Sequence, residues 1–413
     1  MKGLFQSRKR NIERLNEQVP QSEYYSMQHF ISESPWDSQA GFDKVARDAT
    51  KLFAPFEWVG LLLDETAHTK KGVESVGVSR QWSGQLGKVD NCQVSVMAAL
   101  STGNYYCPVD TRLYLPGCWT QDKQRCKKAG VPKERLKHQT KQELALEMVI
   151  HQRKIGTRFD WVGADGLYGH DYWLTEQLDS LGEYFMLDIH SDQHVYLQEP
   201  MLQIPLKTTK KGPKPTKLKP TEKSMEVREL ISTIPHAEWE RHVLRDTLKG
   251  EKLEADYWFR TVYVWDGFSD YSVERMLVIR RDKIKKGFEY KYSLSNALEG
   301  TFLHVRLARM QGQRFFIEQT FRDCKQEVGM SEYQVRGWLA WHHHMVLVMM
   351  ALFFVTSEKV RYRNEMPLLS AYDIREIMLT VYPKKASTSQ DVMEQIHARH
   401  RQRRGLAALE TKT

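Results

Sequence analysis

The stretch WVGLLLDET, Trp58 to Thr66, decides how this 413-residue chain is read. It is an apolar run that ends in acids. Strands buried on both faces look like this, continuous in apolar residues with no alternation. A second run of the same kind, FDWVGAD from Phe159 to Asp165, also ends in an acid and is followed by Gly166. Carboxylates at the ends of neighbouring buried strands can converge at one edge of a sheet. There they repel, and divalent cations are what neutralise them best.

The segments around these two runs fit a mixed sheet. Between them, SVGVSRQWSG, CQVSVMAALST and CPVDTRLYLP are rich in β-branched and aromatic residues and punctuated by Gly and Pro. They read as an antiparallel meander. KQELALEMVIHQRKIG is an amphipathic helix closed by Gly156. After the second run, HDYWLTEQLDSLG reads as a helix ending at Gly182, and EYFMLDI as a short buried strand. Strands followed by strand–helix–strand units predict a mixed α/β sheet. Upstream, residues 1–50 read as helices, with Ser and Asp at N-cap positions.

Beyond residue 195 the pattern breaks. LKTTKKGPKPTKLKPTEKS, Leu206 to Ser224, is Lys- and Pro-rich with no apolar periodicity, and reads as a loop or extended linker. Residues 225–295 are β-rich again. From Gly300 to Val355 everything reads as helix, and the tail ends in the basic HARHRQRRG. The expected divisions are 1–52 (helical, DNA-binding), 53–195 (first part of an α/β core), 196–298 (β-rich insertion), 299–360 (helical second part of the core) and 361–413 (helical, basic tail).

Composition narrows the function. Hydrophobic content of 41% and eleven Trp support a large core, and the net charge of +9 favours an anionic partner, most often nucleic acid. Five scattered Cys with no CxxC pair argue against a disulfide framework or a structural zinc site. The odd number fits a reducing cytosol. The N-terminus has no apolar signal core. The run MVLVMMALFFV, Met345 to Val355, is too short to span a bilayer and reads as a buried core helix. The expectation is a cytoplasmic protein with no membrane partner.

A third acid comes from RFFIEQTFRDCKQEVG, Arg314 to Gly329. Glu318 has Arg314 four residues before it and Lys325 seven after it, all on one helical face. An ordinary surface ion pair explains Arg314 and Glu318 alone, and a lone strand-end Asp is commonly a turn former or cap. Taken together, two strand-end acids and a helix acid flanked by bases point to hard oxygen ligands for Mg²⁺ or Mn²⁺. Asp110, Glu65 and His170 stand second. His342, His343 and His344 are consecutive on a helix, point in different directions and cannot ligate one ion.

At these residues the chain resembles bacterial DDE transposases, in the insertion-sequence 4 superfamily and its insertion-sequence 701 branch. That superfamily carries a Tyr-x2-Arg-x3-Glu-x6-Lys signature around its last acid. Arg314, Glu318 and Lys325 match its spacing, whereas the Tyr position falls on Gln311. LLLDETAHTKKGVESVGVSRQWSGQLGKVDNCQVSV resembles the family's first-acid segment, WVGADGLYG the second, and IEQTFRDCKQEVGMSEYQVRGW the third. The resemblance covers about Arg8 to Val355. It implies an RNase H-like core interrupted by a β-rich insertion domain, with helical terminal regions.

It also implies that Asp64, Asp165 and Glu318 bind two Mg²⁺ (or Mn²⁺) ions to nick DNA at element ends and transfer the 3′-OH strand. Arg314 and Lys325 would hold phosphates, and Lys207, Lys210, Lys211, Lys214, Lys217 and Lys219 would track the backbone. Tyr290, Tyr292 and Trp265 are candidates for stacking on a flipped base, with ordinary strand packing as the blander reading of all three. The implied partners are double-stranded DNA, both transposon ends and target, and a second copy of the chain in a homodimeric synaptic complex on the bacterial nucleoid. The segment before Asp64 is short for the family, which implies either that part of a terminal-repeat-binding region is lacking or that the start has been assigned late. The alternatives are a domesticated or truncated DNA-binding derivative and another RNase H-like nuclease.

Overall fold

The computed structural model describes residues 2–84, 86–206, 213–246, 251–385 and 388–410. Four helices open the chain: α1 (Lys2–Gln6), α2 (Ile12–Gln18), α3 (Tyr24–Ser32) and α4 (Ser38–Phe53). Asn11 and Asp37 cap α2 and α4 with their side chains, as their short polar groups favour.

The strands β1 (Gly60–Thr69), β2 (Ser79–Ser83), β3 (Lys88–Ser101) and β4 (Tyr106–Leu113) follow. β1 lies antiparallel to one edge of β3, while β2 and β4 share the other edge. Helix α5 (Lys141–Lys154) starts at a capping box between Thr140 and Glu143. It leads to β5 (Trp161–Ala164), α6 (Tyr172–Ser180) and β6 (Phe185–Ile189). β5 pairs parallel with β1, and β6 parallel with β5. One indole explains two glycines in the motif strands. A Cβ on Gly60 or Gly163 would come within 2.6 Å of the Trp161 ring, so both positions make room for it.

The sequence sets residues 196–298 apart, yet the strands from Glu240 onward continue the same sheet. β7 (Glu240–Asp246), β8 (Lys252–Val264), β9 (Val273–Lys283) and β10 (Phe288–Ser295) form an antiparallel ribbon, and β10 pairs with β6. The described sheet has ten strands in the order β7-β8-β9-β10-β6-β5-β1-β3-β2, with β4 also on β3. Both faces of β9 are covered. In β9, Met276 and Val278 join the main core, while Leu277 and Ile279 join a second cluster with Val195, Val227 and Leu230. Burial on both faces is why this strand reads as an unbroken apolar run.

The last region contains α7 (His304–Gln313), α8 (Phe315–Gln326), α9 (Trp338–Arg361), α10 (Ala371–Val381) and α11 (Ser389–Glu410). The helical reading of 300–355 is interrupted twice, at Arg314 and over Glu327–Gly337. Gly329, at φ 74°, lets the chain leave α8, and the Met330 amide bonds back to the Cys324 carbonyl. Arg10 crosses this loop, donating to Glu332 and to the Glu327 carbonyl. Helix α9 is long and apolar enough to cross a bilayer, but 72% of its apolar window is buried in the fold. Trp341, Met345, Met349 and Leu352 make it the central core helix. Truncating a core Leu such as Leu62 to Ala would cost about 2–5 kcal/mol.

The three consecutive histidines lie in α9. His342 Nδ1 lies 2.8 Å from the Trp338 carbonyl, and His343 bridges the carbonyls of Ile31 and Trp36. They serve packing. Burial lowers the pKa of His342 to about 3 and of His344 to about 4, from an ordinary 6.5. Both are neutral when folded and take up protons first when unfolded. The stability they contribute is complete above pH 6.5 and is lost as pH falls toward 3–4. Urea melts of the wild type and of the His342→Gln/His344→Gln pair test this. The wild-type midpoint should fall more steeply between pH 6.5 and 4. Parallel curves would contradict it.

Candidate functional site

The parallel register builds the site. Leu63 stands beside Ala164, and Ala164 beside Leu187. One residue further along each strand come Asp64, Asp165 and Asp188. Equivalent positions on adjacent strands project to one face, so these acids form a row across β1, β5 and β6. Alternation along β1 sends Glu65 the other way, but its longer side chain reaches back. One oxygen from each of Asp64, Glu65 and Asp165 lies within 4.8 Å of the other two.

Each acid is fixed by its surroundings. Asp165 Oδ1 accepts from the Leu167 amide at 3.0 Å and caps the turn Gly166–Gly169. Asp64 Oδ1 accepts from the Glu65 amide at 2.7 Å. Glu65 is held by Lys141 at 2.7 Å and accepts from the Tyr168 hydroxyl at 3.0 Å. Burial, then Asp165 and Glu65, push the Asp64 carboxyl well above its usual range, and Arg314 pulls the other way. Asp165 is also raised, by burial and then Glu65, again opposed by Arg314. Three clustered, half-buried carboxylate oxygens suit a hard divalent cation, which would offset their mutual repulsion.

Helix α8 closes the cleft. Arg314, Glu318, Phe321 and Lys325 recur at steps of four, three and four, which places them on one face. They line a cleft of about 630 Å³ with Asp64, Glu65 and Asp165. The opposite face, with Phe316, Ile317, Thr320 and Cys324, is buried. The Tyr106 hydroxyl donates to Asp323 at 2.6 Å and ties the helix to β4. Glu318 thus faces the strand acids across the cleft without joining their tight group. Its side chain is half exposed and pairs with Arg314 at 3.1 Å. Lys325 Nζ donates to the Ala67 carbonyl at 3.2 Å, and burial lowers its pKa.

Arg314 lines the cleft but turns inward, its Nε 2.5 Å from Asp188. Several other sequence candidates sit elsewhere. Tyr292 is buried in the second core, Tyr290 packs against Trp239 and Phe288, and Trp265 Nε1 donates to the Ser269 carbonyl. None of the three lines the acidic cleft, whereas Trp82 of β2 does and is 58% exposed. Lys214, Lys217 and Lys219 are exposed and line no part of it. Lys207, Lys210 and Lys211 lie outside the described residues. His170 bonds to Gln193, and Asp110 is buried beside Arg112 and Gln152. Asp188 is open to the same reasoning as Asp64, because it directly follows the apolar FML as Asp64 follows the apolar VGLLL.

Residues 3–251 match a family model described as DDE superfamily endonuclease. That span includes Asp64 and Asp165 and ends before Glu318. The chain is also similar to the probable transposase for insertion sequence element IS701 of Microchaete diplosiphon. The two are 29% identical over 177 residues, which is 41% of each. The chain therefore spans about two fifths of the length of that curated relative.

The raised carboxyls make a prediction. A carboxyl whose folded pKa exceeds its unfolded value costs the fold stability as pH rises above about 3.8, the ordinary Asp value. Without divalent cations at pH 7.5, Asp64→Asn should melt a few degrees above the wild type. The gap should close toward pH 4, as followed by differential scanning fluorimetry. An Asp64→Asn protein that melts lower across the whole range would contradict the electrostatic account.

Proposed function

We propose that this chain, which belongs to the DDE superfamily endonuclease family, cuts DNA at the ends of an insertion sequence and joins the freed 3′ ends to a target. The observation that carries the reading is the level pairing of Asp64 with Asp165 on parallel strands, faced by Glu318 from α8. The strand order supports an RNase H-like core, with β1, β3 and β4 antiparallel and β5 and β6 then parallel to β1. Similarity to a protein named as a probable transposase supports the joining step.

Asp64, Asp165 and Glu318 would hold two Mg²⁺ or Mn²⁺ ions, with Glu65 beside them. Ions bound there supply an acidified water for attack and neutralise the leaving oxygen. The protein's own part is position and charge. Tyr168 and Lys141 keep Glu65 in place, and the Asp165 cap fixes the end of β5. Lys325 and the exposed Arg322 put positive charge along the cleft for the flanking phosphates. Lys214, Lys217 and Lys219 supply sequence-independent contact to the backbone. Residues 196–298 act as the insertion between the second and third acids, residues 1–52 contact element ends, and two copies of the chain bring two ends together on the bacterial nucleoid.

The test uses a supercoiled plasmid carrying the DNA that flanks the coding region. With Mg²⁺ the wild type should nick at the element ends and join them to target DNA. Asp64→Ala, Asp165→Ala or Glu318→Ala should each slow cleavage by about 10²-fold or more. Binding in a gel-shift assay should remain close to wild type. Cleavage that persists in Asp64→Ala contradicts the reading, and nicking without joining leaves an endonuclease that does not transpose DNA.

A further inference from the structure

Asp188 is the third acid in the row, level with Asp165 on the neighbouring strand. It takes no part in the tight carboxylate group. Its Oδ2 receives Arg314 Nε at 2.5 Å, and its Oδ1 accepts from the Ser293 hydroxyl at 2.7 Å. Ser293, fully buried on β10, accepts in turn from Gln311 Nε2 at 2.8 Å. Gln311 is the residue at the signature's Tyr position. Arg314 completes the chain by pairing with Glu318. The network joins the ribbon of residues 240–295 to β6 and to the break between α7 and α8.

A guanidinium in an acidic cleft competes with divalent cations for the same oxygens. Arg314 has four carboxylates around it, from Asp188, Glu318, Asp64 and Asp165. Asp188 is the one that meets it at closest range and is itself held in place from behind. The site has little slack on that side. A Cβ on Gly169, in the turn capped by Asp165, would lie 2.0 Å from the Asp188 carbonyl oxygen. Arg314 is also the junction between α7 and α8, one turn before Glu318.

We propose that Asp188, fixed by Ser293 and Gln311, is a positioning residue that draws Arg314 to the β6 side of the cleft, leaving Asp64 and Asp165 to divalent cations and aiming Glu318 at them. This rests on the metal-dependent reading of the same cleft. It gives the β-rich segment a role in the chemistry, because Ser293 belongs to that segment.

The probe is Mn²⁺, with binding to the full chain followed by the electron paramagnetic resonance signal of the free ion. Asp188→Asn keeps the shape and removes the charge. Loss of a partner behind the ligands typically weakens metal binding by 10–100-fold, and about 10-fold is expected here. Ser293→Ala should weaken it by a smaller factor. Asp179→Asn is the control, because it breaks the Asp179–Arg275 pair outside the cleft and should leave Mn²⁺ affinity unchanged. Wild-type affinity in Asp188→Asn, or equal weakening in Asp179→Asn, overturns the proposal. If Asp188→Asn fails to fold, unchanged affinity in Ser293→Ala overturns it and weakened affinity supports it. A wild-type chain that binds no Mn²⁺ overturns the metal-dependent reading, and this inference with it.

Discussion

Parallel pairing of β1 with β5 is the constraint on which the rest of this structure depends. It sets Asp64 and Asp165 side by side where the β1–β5 pairing ends, half-buried at the floor of the cleft. Two unit charges within 4.8 Å repel by on the order of 3 kcal/mol at an effective dielectric near ~20. No fold gains stability from such a pair. The core around it supplies the difference, through the apolar runs that flank each acid and the Trp161 indole laid over Gly60 and Gly163. Strain of this kind concentrates where a protein does chemistry.

The helix across the cleft answers the charge of the sheet in two ways. One face of α8 offers a further carboxylate, while Arg314 and Lys325 supply positive charge at either end of it. Arg314 is not free to reach outward, because Asp188 and Glu318 hold it. Lys325 is anchored by the Ala67 carbonyl on β1. Both cations therefore tie the helix to the sheet as well as balancing its charge. The spacing Arg-x3-Glu-x6-Lys has a structural meaning on this account, since one helical face must meet the ends of three strands.

Much of this was legible in the sequence, for physical reasons that can be stated. Apolar runs closed by acids pick out Asp64 and Asp165 locally, although only Asp165 follows a strand end: β1 runs on past Asp64 to Thr69, and it is the pairing with β5 that stops there. Helix periodicity placed Glu318, Arg314 and Lys325 on one face without knowledge of what that face meets. What a local pattern does not carry is pairing. That β10 joins β6, and so carries the β-rich segment into the main sheet, depends on contacts far apart in sequence. The inward turn of Arg314 depends on Asp188 for the same reason. Tyr290, Tyr292 and Trp265 look like stacking residues by type and like strand-packing residues by setting; the fold packs Tyr290 and Tyr292 into the second core and puts Trp82 at the cleft.

A divalent cation held by this cleft would sit between its strand acids. A crystal of the full chain soaked in Mn²⁺, with data collected at the manganese absorption edge, should show anomalous peaks between the carboxylates of Asp64 and Asp165, with Glu318 turned toward them. Peaks confined to other surfaces, with Asp64 and Asp165 bare at saturating Mn²⁺, would contradict it.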